Sequence, residues 1–258
     1  MANLTVDLAN PVSHRIGSVS FVAADRLGAA RFALARAVNL TDSGSHIHLA
    51  NAYSLALADS NDTVRRSLSG DSTNFADGKP LTWVSTLKRH SPRIVQVRGP
   101  QLFRDVFDLG RVSEVKHFLL GSSDETLAQL QYALEKSYPG VQIAGTFSPP
   151  FRAMSSEELS AQDEKIAASG AQIVWVGLGT PKQDLEAFRL AFALPVVAIA
   201  VGAAFDFVAG SVKESPRWIS KLGFEWVYRL AMEPRRLWRR YLFGNARFLW
   251  SVAKNWNK

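Results

Sequence analysis

Four short stretches of this chain set small or polar residues directly after an apolar run, where backbone amides and side-chain oxygens can meet a ligand. The first pairs Leu49-Ala-Asn51-Ala-Tyr53 with Phe75-Ala-Asp77-Gly-Lys-Pro80. Asn51 follows a strand-like run and opens a helical one. Asp77 follows a short run, Ser72 to Ala76, and precedes Gly78 and Pro80. A carboxylate at such a strand end can act as a general base once a hydroxyl comes within hydrogen-bond reach. The same two residues could equally cap helices. The second stretch, Phe118-Leu-Leu-Gly121-Ser-Ser-Asp124, reads as strand, glycine, hydroxyls and helix. That order suits an anion at a helix N-terminus, and it also suits an ordinary turn. The third is Val176-Gly-Leu-Gly179-Thr-Pro-Lys-Gln183-Asp184. Its two glycines let the backbone approach a ligand, and Gln183 falls on the first helical turn. The fourth, Val201-Gly-Ala-Ala-Phe-Asp206, repeats the strand-end glycine followed by a carboxylate.

His46 and His48 alternate with Ile47 and Leu49, so both point to one side of a strand. A metal would need a third ligand at suitable spacing, which the sequence does not offer. Two structural histidines satisfied by hydrogen bonds are the expectation. No Asp-x-Asp occurs anywhere in the chain, so neither a metal nor another cofactor is expected, and a leaving group's charge would fall to cations of the protein itself.

The elements that must position these residues follow from apolar periodicity. Strand candidates are Ile16–Ala23, His46–Ala50, Ile94–Val97, His117–Leu120, Val141–Ala144, Ile173–Val176 and Val196–Val201. Helical candidates between them include Ala24–Asn39, Leu81–Lys88, Asp124–Ser137, Ser156–Ser169 and Lys182–Phe192. Such alternation predicts an α/β fold: a Rossmann-like, mostly parallel sheet with helices on both faces. In such sheets ligands bind at the carboxyl ends of the strands, where all four stretches fall.

Charge divides the chain. Residues 1–210 carry 19 basic and 20 acidic residues, a net of −1; residues 211–258 carry 11 and 3, a net of +8. Five of the seven tryptophans lie in that second part. An α/β body over 1–210 and a basic, Trp-rich helical appendage over 211–258 are therefore expected. In the appendage Leu237, Tyr241, Phe248 and Val252 recur at helical spacing, with Trp238, Leu242, Leu249 and Trp256 beside them. Amphipathic helices with a basic side result. The 258 residues contain no cysteine, which excludes a disulfide scaffold. Met1 to His14 shows no apolar signal-peptide core. The longest apolar run, Leu190 to Phe205, is interrupted by Pro195 and Gly202 and is shorter than the roughly 20 residues of a membrane span.

The order of these pieces resembles the WecG/TagA/CpsF family of bacterial glycosyltransferases. The resemblance runs from about Ile16 to Leu249 through Leu49-Ala-Asn51-Ala, Asp77-Gly78, Val97-Arg-Gly99, Leu119-Leu-Gly121, Tyr138-Pro-Gly-Val141, Gly179-Thr-Pro-Lys-Gln183-Asp184 and Gly202-Ala-Ala-Phe-Asp206-Phe-Val-Ala-Gly210. It continues through Pro216, Trp218, Gly223, Glu225, Trp226, Arg229, Pro234, Arg236, Arg239, Arg240 and Tyr241. The resemblance implies an inverting transfer from a UDP-sugar to a sugar on a polyprenyl diphosphate, in the synthesis of cell-surface polysaccharide. It implies Asp77 as catalytic base, with Asn51 orienting the substrate. Gly121, Gly179, Gln183 and Asp206 would line the donor pocket, and Arg229, Arg236 and Arg239 would hold the acceptor diphosphate. It also implies a cytoplasmic enzyme, peripheral on the inner face of the plasma membrane and attached through its tail. Assembly into a homo-oligomer is compatible with this reading. Leu49 stands where many members have a threonine near the sugar, so N-acetylmannosamine, its uronic acid and glucose all stay open as donor sugars.

Two other functions fit parts of the pattern. Basic and aromatic residues interleaved in the tail suit nucleic acid, but that leaves Asn51, Asp77 and Gln183 without a role, and no nucleic-acid partner is expected. A nicotinamide-dependent oxidoreductase would need an intact G-x-G-x-x-G with an acidic residue roughly 20 positions on. Neither glycine loop supplies that, and Pro181 interrupts the better of the two.

Overall fold

A computed structural model describes residues 11–216, 219, 223 and 225–256; within these, the side chains of Arg236, Arg239 and Arg240 are outside the description. The chain opens with a hairpin, β1 (Ser13–Ile16) and β2 (Val19–Val22), then α1 (Arg26–Val38), β3 (Ser45–Ala50), α2 (Ala52–Ser60), α3 (Asp62–Ser67), β4 (Thr73–Ala76) and α4 (Lys79–Leu87). There follow α5 (Gly99–Gly110), β5 (Lys116–Gly121), α6 (Asp124–Ser137), β6 (Gln142–Phe147), α7 (Ser156–Ser169), β7 (Ile173–Gly177), α8 (Lys182–Ala193), β8 (Val197–Ala200) and α9 (Ala204–Ala209). The described part of the appendage holds α10 (Glu225–Met232) and α11 (Pro234–Lys254).

Six strands form one parallel sheet in the order β4-β3-β8-β7-β5-β6. Alternate side chains feed its two faces. Ile47, Leu49, Phe75, Leu119, Trp175 and Ile199 pack with α1, α5, α6 and α9. On the opposite face Phe118, Leu120, Val174, Val176, Ala198 and Ala200 pack with Ile166 of α7 and Ala187 and Leu190 of α8. At the β3–β4 edge that face is covered by a separate cluster joining Ala50 and Ala76 to the hairpin, α2, α4, and Phe248 and Val252 of α11. The α/β, Rossmann-like architecture read from the sequence is the architecture present.

Strand order fixes where a crevice opens. From β5 the chain passes through α6 outward to β6, whereas from β7 it passes through α8 the other way, to β8. Connections diverging from adjacent strands leave a gap at their carboxyl ends, and this topological switch point is where open α/β sheets bind ligands. It lies between Gly121 and Gly177, which face each other in the β5–β7 register.

Two local expectations need correction. Ile16–Ala23 is the turn and second strand of a hairpin, because Gly17 adopts φ +60 and reverses the chain. Ile94–Val97 forms no strand: its one sheet-like bond runs from Val97 N–H to Ala76 O at 2.8 Å. The segment after it, Gly99–Gly110, is a helix, entered through Pro100 in its first turn, where a missing N–H costs nothing.

Candidate active site

Asn51 and Asp77 are brought together by strand register. Ala50 of β3 pairs with Ala76 of β4, and Asp77 N–H donates to Ala50 O at 2.9 Å, so the two residues leave adjacent strands at the same level. A Cβ built on Gly78 would lie 3.9 Å from Cβ of Asn51. Asn51 does cap α2: its Oδ1 accepts from Tyr53 N–H at 3.0 Å and from Ser54 N–H at 3.3 Å. The cap uses only the acceptor half of the amide and fixes its plane, leaving the Nδ2 donors for a ligand. Asp77 stands one residue ahead of the N-cap of α4. Gly78 holds the N-cap position, at φ +141, and has no side chain to cap the helix.

The switch point is built from glycines. Gly121 sits at φ +126, and a Cβ there would come within 2.7 Å of the carbonyl carbon and oxygen of Gly177. Gly177 in turn faces the Phe205 ring, 2.7 Å from its own Cβ position. These strand ends are close-packed with no room for a methyl group. Gly121→Ala is expected to cost about 2 kcal/mol or more, from backbone strain plus overpacking, measured as a fall in thermal midpoint with loss of donor binding. Gly179, at φ +75, has nothing within 4 Å of its Cβ position and so presents open backbone. Its carbonyl accepts from Gln183 N–H at 3.0 Å. The Gln183 side chain is buried, at 3% exposure, with Oε1 lacking a protein partner and Nε2 3.7 Å from the Cβ position of Gly202. A buried amide oxygen without a partner is costly and is an acceptor waiting for a donor.

Asp206 lies in the first turn of α9, directly beyond β8. Arg229 of α10 stacks its guanidinium 5.7 Å from the ring centroid of the neighbouring Phe207, which brings the appendage to this strand edge. Arg236 and Arg239 fall in the first two turns of α11, with side chains outside the described residues. The carboxyl edge thus carries Asp77, Asn51, Asp206, Gln183 with Gly179, and Gly121 along the order β4-β3-β8-β7-β5. That row is about 19 Å long at the usual strand spacing.

The histidines take structural positions. His48 Nδ1 donates to Asp184 Oδ1 at 3.0 Å, which sets its Nε2 as acceptor for His46 Nδ1 at 2.8 Å. Burial, and then the neighbouring His48, lower the His46 pKa to about 4. Among the described residues, no group of three or more His, Cys, Asp or Glu is arranged to hold a metal ion.

Sequence reading assigned no role to one contact, that of Arg98 with Glu225. Arg98 donates through Nε at 3.1 Å and Nη2 at 2.8 Å to the two carboxylate oxygens of Glu225. Burial pulls the guanidinium pKa down, but the hydrogen bond and charge of Glu225, then the charges of Asp77 and Glu214, outweigh it and raise the value. The partners are 127 residues apart in the chain, so no local pattern could signal the pair. Each residue falls in a motif of the resemblance, Val97-Arg-Gly99 and Glu225-Trp226, but nothing in the sequence joins the two. Residues 16–258 match the Glycosyl transferase WecG/TagA/CpsF family.

Proposed function

Given that this chain belongs to the WecG/TagA/CpsF family and is a glycosyltransferase of cell-surface polysaccharide synthesis, we propose that it transfers a sugar from a UDP-sugar to a sugar carried on a polyprenyl diphosphate, with inversion. The observation that carries this reading is the pairing of Asn51 and Asp77 on adjacent strand ends of the same edge that holds the glycine switch point. Asp77 takes the proton of the acceptor hydroxyl as its oxygen bonds to the anomeric carbon, and the bond from that carbon to the diphosphate breaks. Asn51, its plane set by the α2 cap, donates from Nδ2 to a sugar oxygen. Gln183 and Asp206 line the donor pocket, and backbone amides near Gly121 and Gly179 receive the nucleotide diphosphate. Arg229, Arg236 and Arg239 hold the acceptor diphosphate and offset the charge that develops on departing UDP.

The 211–258 appendage is the part proposed to meet the membrane, on its cytoplasmic face. Trp238, Leu242, Phe243, Leu249 and Trp250 are exposed along α11 beside exposed Arg235 and Arg247. Tryptophan favours the interfacial layer and arginine pairs lipid phosphate. No helix among the described residues is long and apolar enough to cross a membrane.

The test is a donor screen. Purified protein is given UDP-N-acetylmannosamine, its uronic acid counterpart or UDP-glucose, with a synthetic prenyl-diphosphate-linked sugar and EDTA present. Acceptor-dependent UDP release with at least one donor is expected. Release that appears only after Mg²⁺ or Mn²⁺ is restored would replace the protein-only mechanism with a metal-assisted one.

A further inference from the structure

The sheet edge opposite the proposed transfer site also opens into a cavity. It holds about 730 Å³ where β3 and β4 begin, between the loops that enter those strands, the β1–β2 hairpin and the end of α8. That volume lies in the range of small-molecule sites, roughly 300–1,000 Å³. β3 runs from this edge to Ala50, so about 20 Å of strand separates the cavity from Asn51.

Hydrogen bonds fix the tautomer of the imidazole that borders it. The Asp184 carboxylate accepts, so His48 carries its proton on Nδ1 and presents Nε2 as a lone pair. His46 Nδ1 must then donate to that lone pair, at 2.8 Å. Burial and then His48 lower the His46 pKa to about 4, so the ring is neutral near pH 7 and its own Nε2 is a lone pair too. His46 is only 4% exposed and lines the cavity. Its Nε2 meets no hydrogen-bond partner among the described residues. A nitrogen in that state accepts from a ligand O–H or N–H and repels an anion.

The walls ask for the same kind of ligand. Six serines and threonines line them, and each hydroxyl can both donate and accept. Asp42 and Asp71 add carboxylate acceptors, and Arg36, its guanidinium 5.2 Å over the Phe32 ring, adds donors. Two carboxylates against one guanidinium, with His46 neutral, give the lining a charge of −1, which opposes a phosphate or nucleotide. Arg36 on the same wall opposes a metal or ammonium ion. At the rim the Phe192 ring is 75% exposed, and its electron-rich face suits polarised C–H bonds. Many hydroxyls, no net charge and an apolar C–H face together describe a sugar ring.

We propose that this cavity is a second saccharide site. One hydroxyl of a neutral sugar donates to His46 Nε2, others donate to Asp42 and Asp71, and the ring lies against Phe192. The site stands apart from the transfer site and does not depend on the roles proposed for Asp77 and Asn51.

The test reads His46 directly, by long-range ¹H–¹⁵N correlation on full-length protein labelled with ¹⁵N-histidine. His46 is assigned by its loss in His46→Gln, or by through-bond correlation if that variant fails to fold. Free protein at neutral pH should show Nδ1 protonated and Nε2 bare. Methyl N-acetyl-β-glucosaminide, methyl α-mannoside and methyl β-glucoside are then titrated to tens of millimolar, with and without saturating UDP. At least one should move the Nε2 resonance upfield, under both conditions, while the ring stays neutral; inorganic phosphate should not. Asp71→Ala, a change at an exposed residue, should weaken that sugar about tenfold through loss of a charge-assisted hydrogen bond. It should leave UDP release unchanged. A protonated Nε2 in the free protein, silence toward all three sugars, a response to phosphate alone, or parental affinity in Asp71→Ala overturns the proposal. A response that saturating UDP abolishes moves the sugar to the transfer site and overturns it as well.

Discussion

Asp77→Asn is expected to fold like the parent and to lose 100-fold or more in kcat, read as acceptor-dependent UDP release. The size follows from what a positioned general base contributes, roughly 10²- to 10⁴-fold. The amide keeps the shape of the carboxylate but cannot accept the acceptor's proton. Folding should survive for reasons visible at the site. Residue 77 is held by its backbone N–H to Ala50 O, a bond which the substitution leaves alone. The N-cap position of α4 is held by Gly78, which the substitution also leaves alone. Near-parental turnover would take Asp77 out of the chemistry. Asn51 makes a less clean probe. Replacing it removes two hydrogen bonds that begin α2, at about 1 kcal/mol for a lost cap, so a fall in rate would mix local unfolding with lost orientation.

Where the chain supplies its own start and stop signals, the elements could be read from end to end. Asp124–Ser137 and Ser156–Ser169 begin after Ser123 and Ser155, whose hydroxyls cap the helices in the structure, and the second ends at Gly170 with φ +65. Local chemistry misled where the same residue types serve two purposes. Gly17-Ser18 lies within an apolar run yet folds a hairpin, and Ile94–Val97 reads as a strand yet touches β4 through a single backbone bond. The site was legible residue by residue and not as an arrangement. The types at 51, 77, 183 and 206 mark strand ends, but only the β3–β4 register makes Asn51 and Asp77 neighbours, and only the order β8-β7-β5 puts the glycine crevice on the same edge. Alternation alone put His46 and His48 on one side of their strand. That they are hydrogen-bonded to each other and to Asp184 needed α8 to be packed against β3. Arg98 and Glu225 were visible as motif residues of the resemblance and not as partners.

Ending the chain at Gly210 should remove cooperative folding, with the loss of a sharp thermal transition in circular dichroism. Charge and composition suggest a separable appendage, but α11 turns one side into the body. Leu237, Gly244, Phe248, Ser251 and Val252 are buried at helical spacing. Phe248, at 3% exposure, and Val252 complete the cluster of Ala52, Leu55, Ala58 and Ile16. The fit is close: a Cβ on Gly244 would stand 2.9 Å from the Tyr53 ring, and one on Gly17 would stand 2.5 Å from Ser251 Oγ. Loss of a buried phenylalanine alone costs about 3–5 kcal/mol, against a total stability of roughly 5–15 kcal/mol for a domain. Truncation removes that side chain, Val252 and the Arg98–Glu225 and Arg104–Glu214 pairs together, while baring the apolar faces of α2 and the hairpin. Truncation is therefore the wrong way to ask whether the appendage binds lipid. The neighbouring residues are the right one, because Leu249 and Trp250 are 66% and 71% exposed on the outer side of the same helix. Leu249→Ser/Trp250→Ser should keep the parent's thermal midpoint within a few degrees, since surface changes seldom exceed about 0.5 kcal/mol. The same variant should lose most co-sedimentation with phosphatidylglycerol vesicles, and high salt should weaken the parent's binding only in part, because salt screens the arginines and not the aromatic contact. A truncated chain that melts as sharply as the parent would show that α11 is dispensable to the core. A double variant that still sediments fully would move the lipid contact off this face of α11.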